Sequence, residues 1–178
     1  MTLGQAISTL STPDHLLMRR LNRWRPPRLI RWWMITATRG GDGWIWVFCG
    51  TMLALWGDAR RFDAILAASL AISAGVLMFQ AVKKQVGRKR PCHIEPHCWA
   101  RLLPPDQFSF PSGHSITAFA AAVSIGQIYP GLLPLLLFCA ASVALSRIVL
   151  GMHFLSDILA GSAAGALLGY GAFLIVAI

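Results

Sequence analysis

The chain has 178 residues, of which 56% are apolar and 13% charged. Sixteen Lys and Arg against seven Asp and Glu give a formal net charge of +9. The length suits one domain. The apolar content excludes intrinsic disorder, and the charged fraction is about half that of a water-soluble domain. The basic stretches border long apolar runs, so a membrane and its anionic head groups are the expected partners, and nucleic acid is not.

Residues 1–15 are mostly polar and have no signal-peptide shape, so insertion is expected to rely on the mature apolar segments, with 1–14 frayed. Residues 15–39 hold seven Arg among Leu, Ile and Trp, and Pro26-Pro27 splits the stretch in two. Arg and Trp interleaved at this density predict amphipathic helices lying in the membrane interface, so 1–39 is read as an N-terminal interfacial segment.

Gly40-Gly41-Asp42-Gly43 is a turn signal. The charge-free run 44–56 is short for a span, because a helix needs roughly 20 residues to cross the hydrocarbon layer. It crosses only if the helix runs on toward Arg60 or if residues before the turn contribute. A polar connector follows at 58–63, then 19 charge-free residues at 64–82. Residues 83–114 form the longest polar segment, with five Pro. No charge occurs from Ser115 to Ser146, and Tyr129-Pro130-Gly131 marks a hairpin between spans at 115–129 and 132–150. The last charge-free run, 158–178, carries Gly161, Gly165 and Gly169 at four-residue spacing, which lets helices pack closely in lipid. The expected fold is an all-α integral membrane bundle of about five spans, with 40–178 as its core. Five spans would place the N-terminus, 83–114 and 147–157 on one membrane face.

Three polar clusters fall on that face. Ionisable groups at the ends of apolar helices are costly and usually functional. The first cluster has five cations within 83–90, closed by Pro91. Arg offers a planar fork and Lys a point charge to phosphate oxygens; the same residues also fit a positive-inside topology flag. The second is Pro111-Ser112-Gly113-His114 at the mouth of a charge-free helix. A helix start can aim N–H groups at an anion, and His114 can carry a proton near neutral pH. The third is Ser146-Arg147, a Gly151 break, and His153 four residues before Asp157. On a helix that spacing shares a face, and a carboxylate fixes the tautomer and raises the basicity of an imidazole. Several cations, one His with a carboxylate and one without suit phosphoryl transfer through a phosphohistidine.

The spacing Lys83, six residues, Arg90-Pro91; Pro111-Ser112-Gly113-His114; and Ser146-Arg147, five residues, His153, three residues, Asp157 resembles the signature of the type-2 phosphatidic-acid phosphatase and vanadium haloperoxidase superfamily. All three motifs match in order and spacing across 83–157. The resemblance implies His153 as nucleophile, Asp157 as its orienting partner and His114 as general acid. It implies Lys83, Arg90, Arg147, Ser112 and the Gly113 amide as phosphate ligands, with no required metal or other cofactor. It implies a phosphorylated membrane lipid as substrate. Small bacterial undecaprenyl-diphosphate phosphatases rank first as likeness, followed by phosphatidylglycerophosphate, phosphatidic-acid and lipid A phosphatases. The haloperoxidase branch is soluble and much larger, which this composition opposes. A phosphate-lipid binding or transport protein is the non-enzymatic alternative.

Cys92 and Cys98 flank His93 and His97 at a spacing unlike common zinc modules. They are read as a disulfide of an oxidising compartment or as free thiols. Asp42 starts a span on the catalytic side, either shaping a head-group pocket or standing in a plain loop. The N-terminal arginines favour a cytoplasmic catalytic face, whereas the family resemblance implies a bacterial inner membrane with the site on its periplasmic face.

Overall fold

The structure, a computed structural model, describes residues 11–100 and 106–177. The expected fraying of 1–10 lies outside them. Residues 11–14, by contrast, begin a helix, and Asp14 is buried.

Two N-terminal helices, α1 (Ser11–Arg23) and α2 (Arg28–Arg39), are separated by Pro26-Pro27. The predicted turn at 40–43 is a π-helical kink, Gly40–Trp44, that joins α2 end to end with α3 (Ile45–Trp56). Gly43, at φ 122°, takes the backbone through the bend. α3 stops at Gly57, so its helix does not run on to Arg60, and the kink continues it backward into α2. α4 (Arg61–Val86) is followed by a polar loop with a short 3-10 turn at Pro91–His93. Then come α5 (Gly113–Ile128), α6 (Leu133–Val149) and α7 (Leu155–Val176). Among the described residues no strand forms; an isolated antiparallel bridge pairs Lys89 with Phe108.

Three segments, Arg61–Val86, Pro130–Val149 and Leu155–Val176, are long and apolar enough to cross a membrane. α5 stands at the centre, packed against α4, α6 and α7. Its Ala118, Ala120, Ala121 and Ala122 are fully buried, while large side chains such as Leu77, Phe138 and Leu167 point outward. Small residues inside and large apolar ones outside is the arrangement lipid permits, because helices there associate by close packing. The glycine series of α7 is the clearest case. A Cβ on Gly161 would stand 2.8 Å from the Ser112 carbonyl oxygen and one on Gly169 2.6 Å from that of Ala120. One on Gly165 would overlap the Ile116 carbonyl oxygen.

Backbone signals end the helices where the polar clusters begin. Gly87 closes α4 in the left-handed region at φ 61°, its N–H on the Lys83 carbonyl. Gly151, at φ 68°, breaks the chain between α6 and α7, as its position between Arg147 and His153 predicts. The end of α4, the start of α5, the end of α6 and the start of α7 thus meet at one end of the bundle. At the other end the Tyr129 hydroxyl donates to Asp58 at 2.7 Å, joining the 58–63 connector to the hairpin.

The four cysteines are free thiols, the second of the two readings offered for Cys92 and Cys98. The Cys92 N–H is tied to the Gly151 carbonyl and the Cys98 N–H to the Asn22 carbonyl, so the two sulfurs are held against different neighbours. His97 is structural: its Nδ1 accepts the Ala100 N–H at 3.1 Å, so its Nε2 donates to the Val149 carbonyl at 2.9 Å.

Candidate active site

The shared end of the bundle encloses a cavity of about 220 Å³. Lys83, Arg90, Gly113, His114, Arg147 and His153 all line it, so the three sequence clusters converge. Ser112 and Asp157 stand behind the lining and are fully buried. The Ser112 hydroxyl accepts from the Ser115 hydroxyl at 3.0 Å and caps α5. It is therefore engaged by its own helix.

His153 sits in the loop opened by Gly151, beneath three cations. Its Nε2 lies 2.9 Å from Arg90 Nη1. Arginine only donates, so Nε2 is the accepting nitrogen and the ring proton is on Nδ1. Nδ1 faces Asp157 Oδ2 at 3.5 Å and has no hydrogen-bond partner. Burial, then the positive charges of Arg90, Arg147, Lys83 and His114, hold His153 well below the ordinary imidazole range. It is neutral, with a lone pair on the cavity side.

Asp157 is fixed from two sides. Its Oδ2 accepts the Phe154 N–H at 2.8 Å, a capping contact at the start of α7. Its Oδ1 accepts from Arg88 at 2.8 Å. On the opposite wall, the Arg147 guanidinium donates to the Thr38 hydroxyl at 2.6 Å, while its Nε is unpartnered. α2 therefore packs on α6 and orients a cation of the cavity.

Two carboxylates enter the cavity lining. Asp106, which carries no motif signal, accepts from Lys83 at 2.7 Å and from Arg90 Nη2 at 2.8 Å. Its backbone carbonyl also takes the Arg90 Nε–H at 2.9 Å. Burial pushes its carboxyl up, but the bonds from Lys83 and Arg90 outweigh this and hold it at about 2. The sequence signal was faint: Asp106 and Glu95 are the acids of the basic 83–114 segment. Asp42, at the kink, accepts from His114, whose Nε2 lies 2.7 Å from its Oδ1. Of the two sequence alternatives for Asp42, the structure selects the one facing the cavity.

An apolar cavity of about 460 Å³ lies between α3, α4 and α5 and shares Gly41, Asp42, Val76 and Thr117 with the polar one. The arrangement is a cationic, His-bearing pocket opening onto a lipid-facing groove. It can bind a phosphoryl group while an apolar chain stays in the bilayer.

Residues 62–177 match the PAP2 superfamily. The chain belongs to this superfamily. Its relatives include the decaprenylphosphoryl-5-phosphoribose phosphatase of Mycobacterium tuberculosis, 35% identical over 70% of this chain and 67% of the relative. Another is the lipid A 1-phosphatase of Rhizobium johnstonii, 32% identical over 51% of this chain and 38% of the relative. LpxE of Aquifex aeolicus has the same fold, with a TM-score of 0.77 at 22% identity over 98% of this chain and 99% of that one. The phosphatidylglycerolphosphate phosphatase of Bacillus subtilis superposes with a TM-score of 0.72 at 23% identity, over 94% of this chain and 86% of that one. The protein is a membrane lipid phosphatase of the PAP2 type. The superfamily match begins at residue 62, so α1, α2, the Gly40–Trp44 kink and α3 lie ahead of it. Asp14, Thr38 and Asp42, which touch the site's residues, belong to that leading part.

Proposed function

We propose that this PAP2 chain hydrolyses a phosphate ester or diphosphate on an isoprenoid lipid, through a phosphohistidine at His153 and without a metal. The observation that carries the proposal is a neutral, Asp157-facing imidazole whose accepting nitrogen, held by Arg90, lies at a cavity lined by Lys83, Arg90 and Arg147.

In the first step His153 Nε2 attacks phosphorus while Lys83, Arg90, Arg147 and the Gly113 amide hold the equatorial oxygens. Arg90 moves from the Nε2 lone pair onto a phosphate oxygen. Ser112 acts from behind, by capping α5 and aiming that amide. His114 gives a proton to the leaving lipid oxygen as the P–O bond breaks. Asp157 stabilises the imidazole as it becomes positive. In the second step water attacks the phosphohistidine, His114 takes its proton, and the P–N bond breaks to release phosphate. Three cations at the reacting centre supply the charge a metal would, and a divalent ion among them would be repelled.

Undecaprenyl diphosphate is the first substrate. A phosphate monoester on a polyprenyl-linked sugar is the second, favoured by the 35% identity to the decaprenylphosphoryl-5-phosphoribose phosphatase. Phosphatidylglycerophosphate, phosphatidic acid and lipid A follow. We also propose five membrane passes, an interfacial 1–39 segment, and placement in a bacterial inner membrane with the cavity on the periplasmic face.

Phosphate release by detergent-purified protein tests the reading, with these lipids offered in parallel and EDTA present. His153→Ala is expected to abolish turnover, and the parent is expected to keep full rate in EDTA. Substantial activity in His153→Ala moves the nucleophile elsewhere. Loss in EDTA restored by Mg²⁺ ends the metal-free mechanism. A folded protein that binds vanadate but releases phosphate from none of the lipids would favour the binding or transport alternative.

A further inference from the structure

The proposal that follows rests on His153 as nucleophile with Asp157 as its partner. Behind Asp157 stands a buried polar assembly that the phosphate chemistry does not use. Arg88 Nη1 donates to Asp157 Oδ1 at 2.8 Å and to the Ser156 hydroxyl at 2.7 Å. Its Nη2 donates to Asp14 Oδ2 at 2.9 Å. Asp14 also accepts the Ser156 N–H at 3.2 Å and the Ser156 hydroxyl. All three charged groups are nearly water-free, with side-chain exposures of 10% for Arg88, 7% for Asp14 and 0% for Asp157.

The aromatic contacts tighten the same joint. Phe154, next to the nucleophile, carries the Arg88 guanidinium 4.0 Å from its ring centroid. His15, next to Asp14, meets the Phe154 ring edge-on at 5.1 Å. Thus α1, about 140 residues away along the chain, is fastened to both neighbours of His153–Asp157. Asp14 is absent from the cavity lining, so it does not touch bound phosphate.

We propose that Asp14 is a positioning residue: shared between Arg88 and the first turn of α7, it keeps Arg88 from monopolising Asp157 and so holds Asp157 in reach of His153. Arg88 bridges two carboxylates. With Asp14 in place its charge is divided between them, and Asp157 Oδ2 stays available to His153 Nδ1. Without Asp14, Arg88 turns wholly to Asp157. A buried Arg–carboxylate pair in low dielectric is strong, and the 3.5 Å His153–Asp157 separation leaves little to lose before contact fails. The second tie acts in the same direction. Asp14 accepts a free N–H of the α7 N-terminus from another helix, fixing the turn that carries Asp157. The helix ahead of the superfamily match is thereby part of the catalytic apparatus and not merely a membrane anchor.

The test is Asp14→Asn in the full chain. Asn keeps an oxygen acceptor for the Ser156 N–H but loses the charge and the second oxygen that accepts from Arg88 and the Ser156 hydroxyl. Steady-state kinetics on the lipid hydrolysed best, with thermal unfolding in the same detergent, are compared for the parent, Asp14→Asn, Arg88→Gln and the double variant. The expected result is a kcat lower by on the order of 10- to 100-fold in Asp14→Asn, the scale of a misplaced catalytic group, with KM within about twofold. The double variant is expected to be no slower than Arg88→Gln alone, because Asp14 acts through Arg88. A kcat within twofold of the parent overturns the proposal. So does a change confined to KM, or losses that multiply in the double variant. If Asp14→Asn is unfolded at the assay temperature, the comparison passes to Asp14→Glu, which keeps the charge: a folded Asp14→Glu with parental kcat supports the proposal, and unfolding of both ends it in favour of a purely structural role. His153→Ala is the separate control: activity there removes the nucleophile assignment, whereas an inactive His153→Ala beside an undisturbed Asp14→Asn removes only this inference.

Discussion

His114 Nε2 lies 2.7 Å from Asp42 Oδ1, so this cavity-lining imidazole is already paired with a carboxylate from the kink between α2 and α3. The sequence presented His114 as the imidazole without a partner. In the proposed mechanism this pair matters because His114 must hold a proton until the leaving oxygen takes it. Burial, then the Arg147 charge, push His114 down to about 4, and the Asp42 carboxylate works against them by favouring the protonated ring. Asp42→Asn is expected to lower kcat about 10-fold, part of the roughly 10²- to 10⁴-fold that a general acid supplies. Its alkaline limb of rate against pH should move to lower pH. Arg147, Lys83, Arg90, Asp106 and His153 share the cavity and are unchanged by the substitution, so the shift reports the lost carboxylate. An unaltered pH–rate profile would remove Asp42 from the mechanism.

Much of this was legible beforehand because phosphate chemistry needs few residue types at fixed spacing. Lys83, Arg90, Gly113, His114, Arg147 and His153 were named from sequence and share one cavity. Gly151 announced the break between α6 and α7, and the α7 glycines announced close packing. What escaped were acids acting across the fold. Asp14 and Asp106 reach Arg88 and the Lys83–Arg90 pair from elements whose placement no local pattern records, and for Asp42, offered by the sequence as facing the site, it was the pairing with His114 that escaped. The kink was read as a turn because Gly-Gly-Asp-Gly punctuates a sequence whether the chain reverses or only bends. Between the two readings of Cys92 and Cys98 the spacing could not choose, because it says nothing of which neighbours the loop backbone takes.

Asp106 predicts an effect on oxyanion binding and one on pH. Its carboxylate competes with any anion for Lys83 and Arg90. Asp106→Asn should therefore tighten inhibition by vanadate about 10-fold, equivalent to about 1.4 kcal/mol. Weaker inhibition would mean that Asp106 chiefly holds the cations in place. In the parent, a carboxyl held at about 2 against an ordinary 3.8 contributes stability above about pH 4 that is lost as pH falls through 2. His153, held well below its ordinary 6.5, adds a loss that begins as pH falls below that value. Unfolding temperature should decline as pH falls below about 6.5. Asp106→Asn should flatten the part below pH 4, as read by thermal unfolding in detergent.

Gly165 tests the packing of α7 on α5. α5 and α7 are closest there, where any Cβ meets the Ile116 backbone rather than a side chain able to rotate away. Gly165→Ala should cost about 1–3 kcal/mol, the range for overpacking a well-filled interior. It should also lower kcat, because the helices it separates carry Gly113-His114 and Asp157. Gly171, with open space around its hypothetical Cβ, is the matched control. Gly171→Ala on the same helix should be neutral in stability and rate. Equal behaviour of the two variants would mean that the close approach is not what holds α5 and α7 together.

Orientation is open to a direct chemical test because Cys98 is exposed in the loop at the catalytic end, while Cys49 and Cys139 pack against the apolar core. The proposed periplasmic cavity sets the family resemblance against the arginines of α1 and α2. Those arginines are a weak counterweight. Arg19 and Arg23 of α1 pair with Glu95, and Arg31 of α2 donates to the Pro26 carbonyl. Charges consumed by folding or chemistry do not report which side they were retained on, and interfacial helices bind anionic lipid on either face. A membrane-impermeant maleimide added to intact cells should therefore label the parent, and Cys98→Ser should lose that labelling. Cys92, half-buried and with its thiol pushed up by burial, should react more slowly. Labelling of Cys98 that requires the membrane to be opened first would put the cavity on the cytoplasmic face and restore the arginines as the deciding signal.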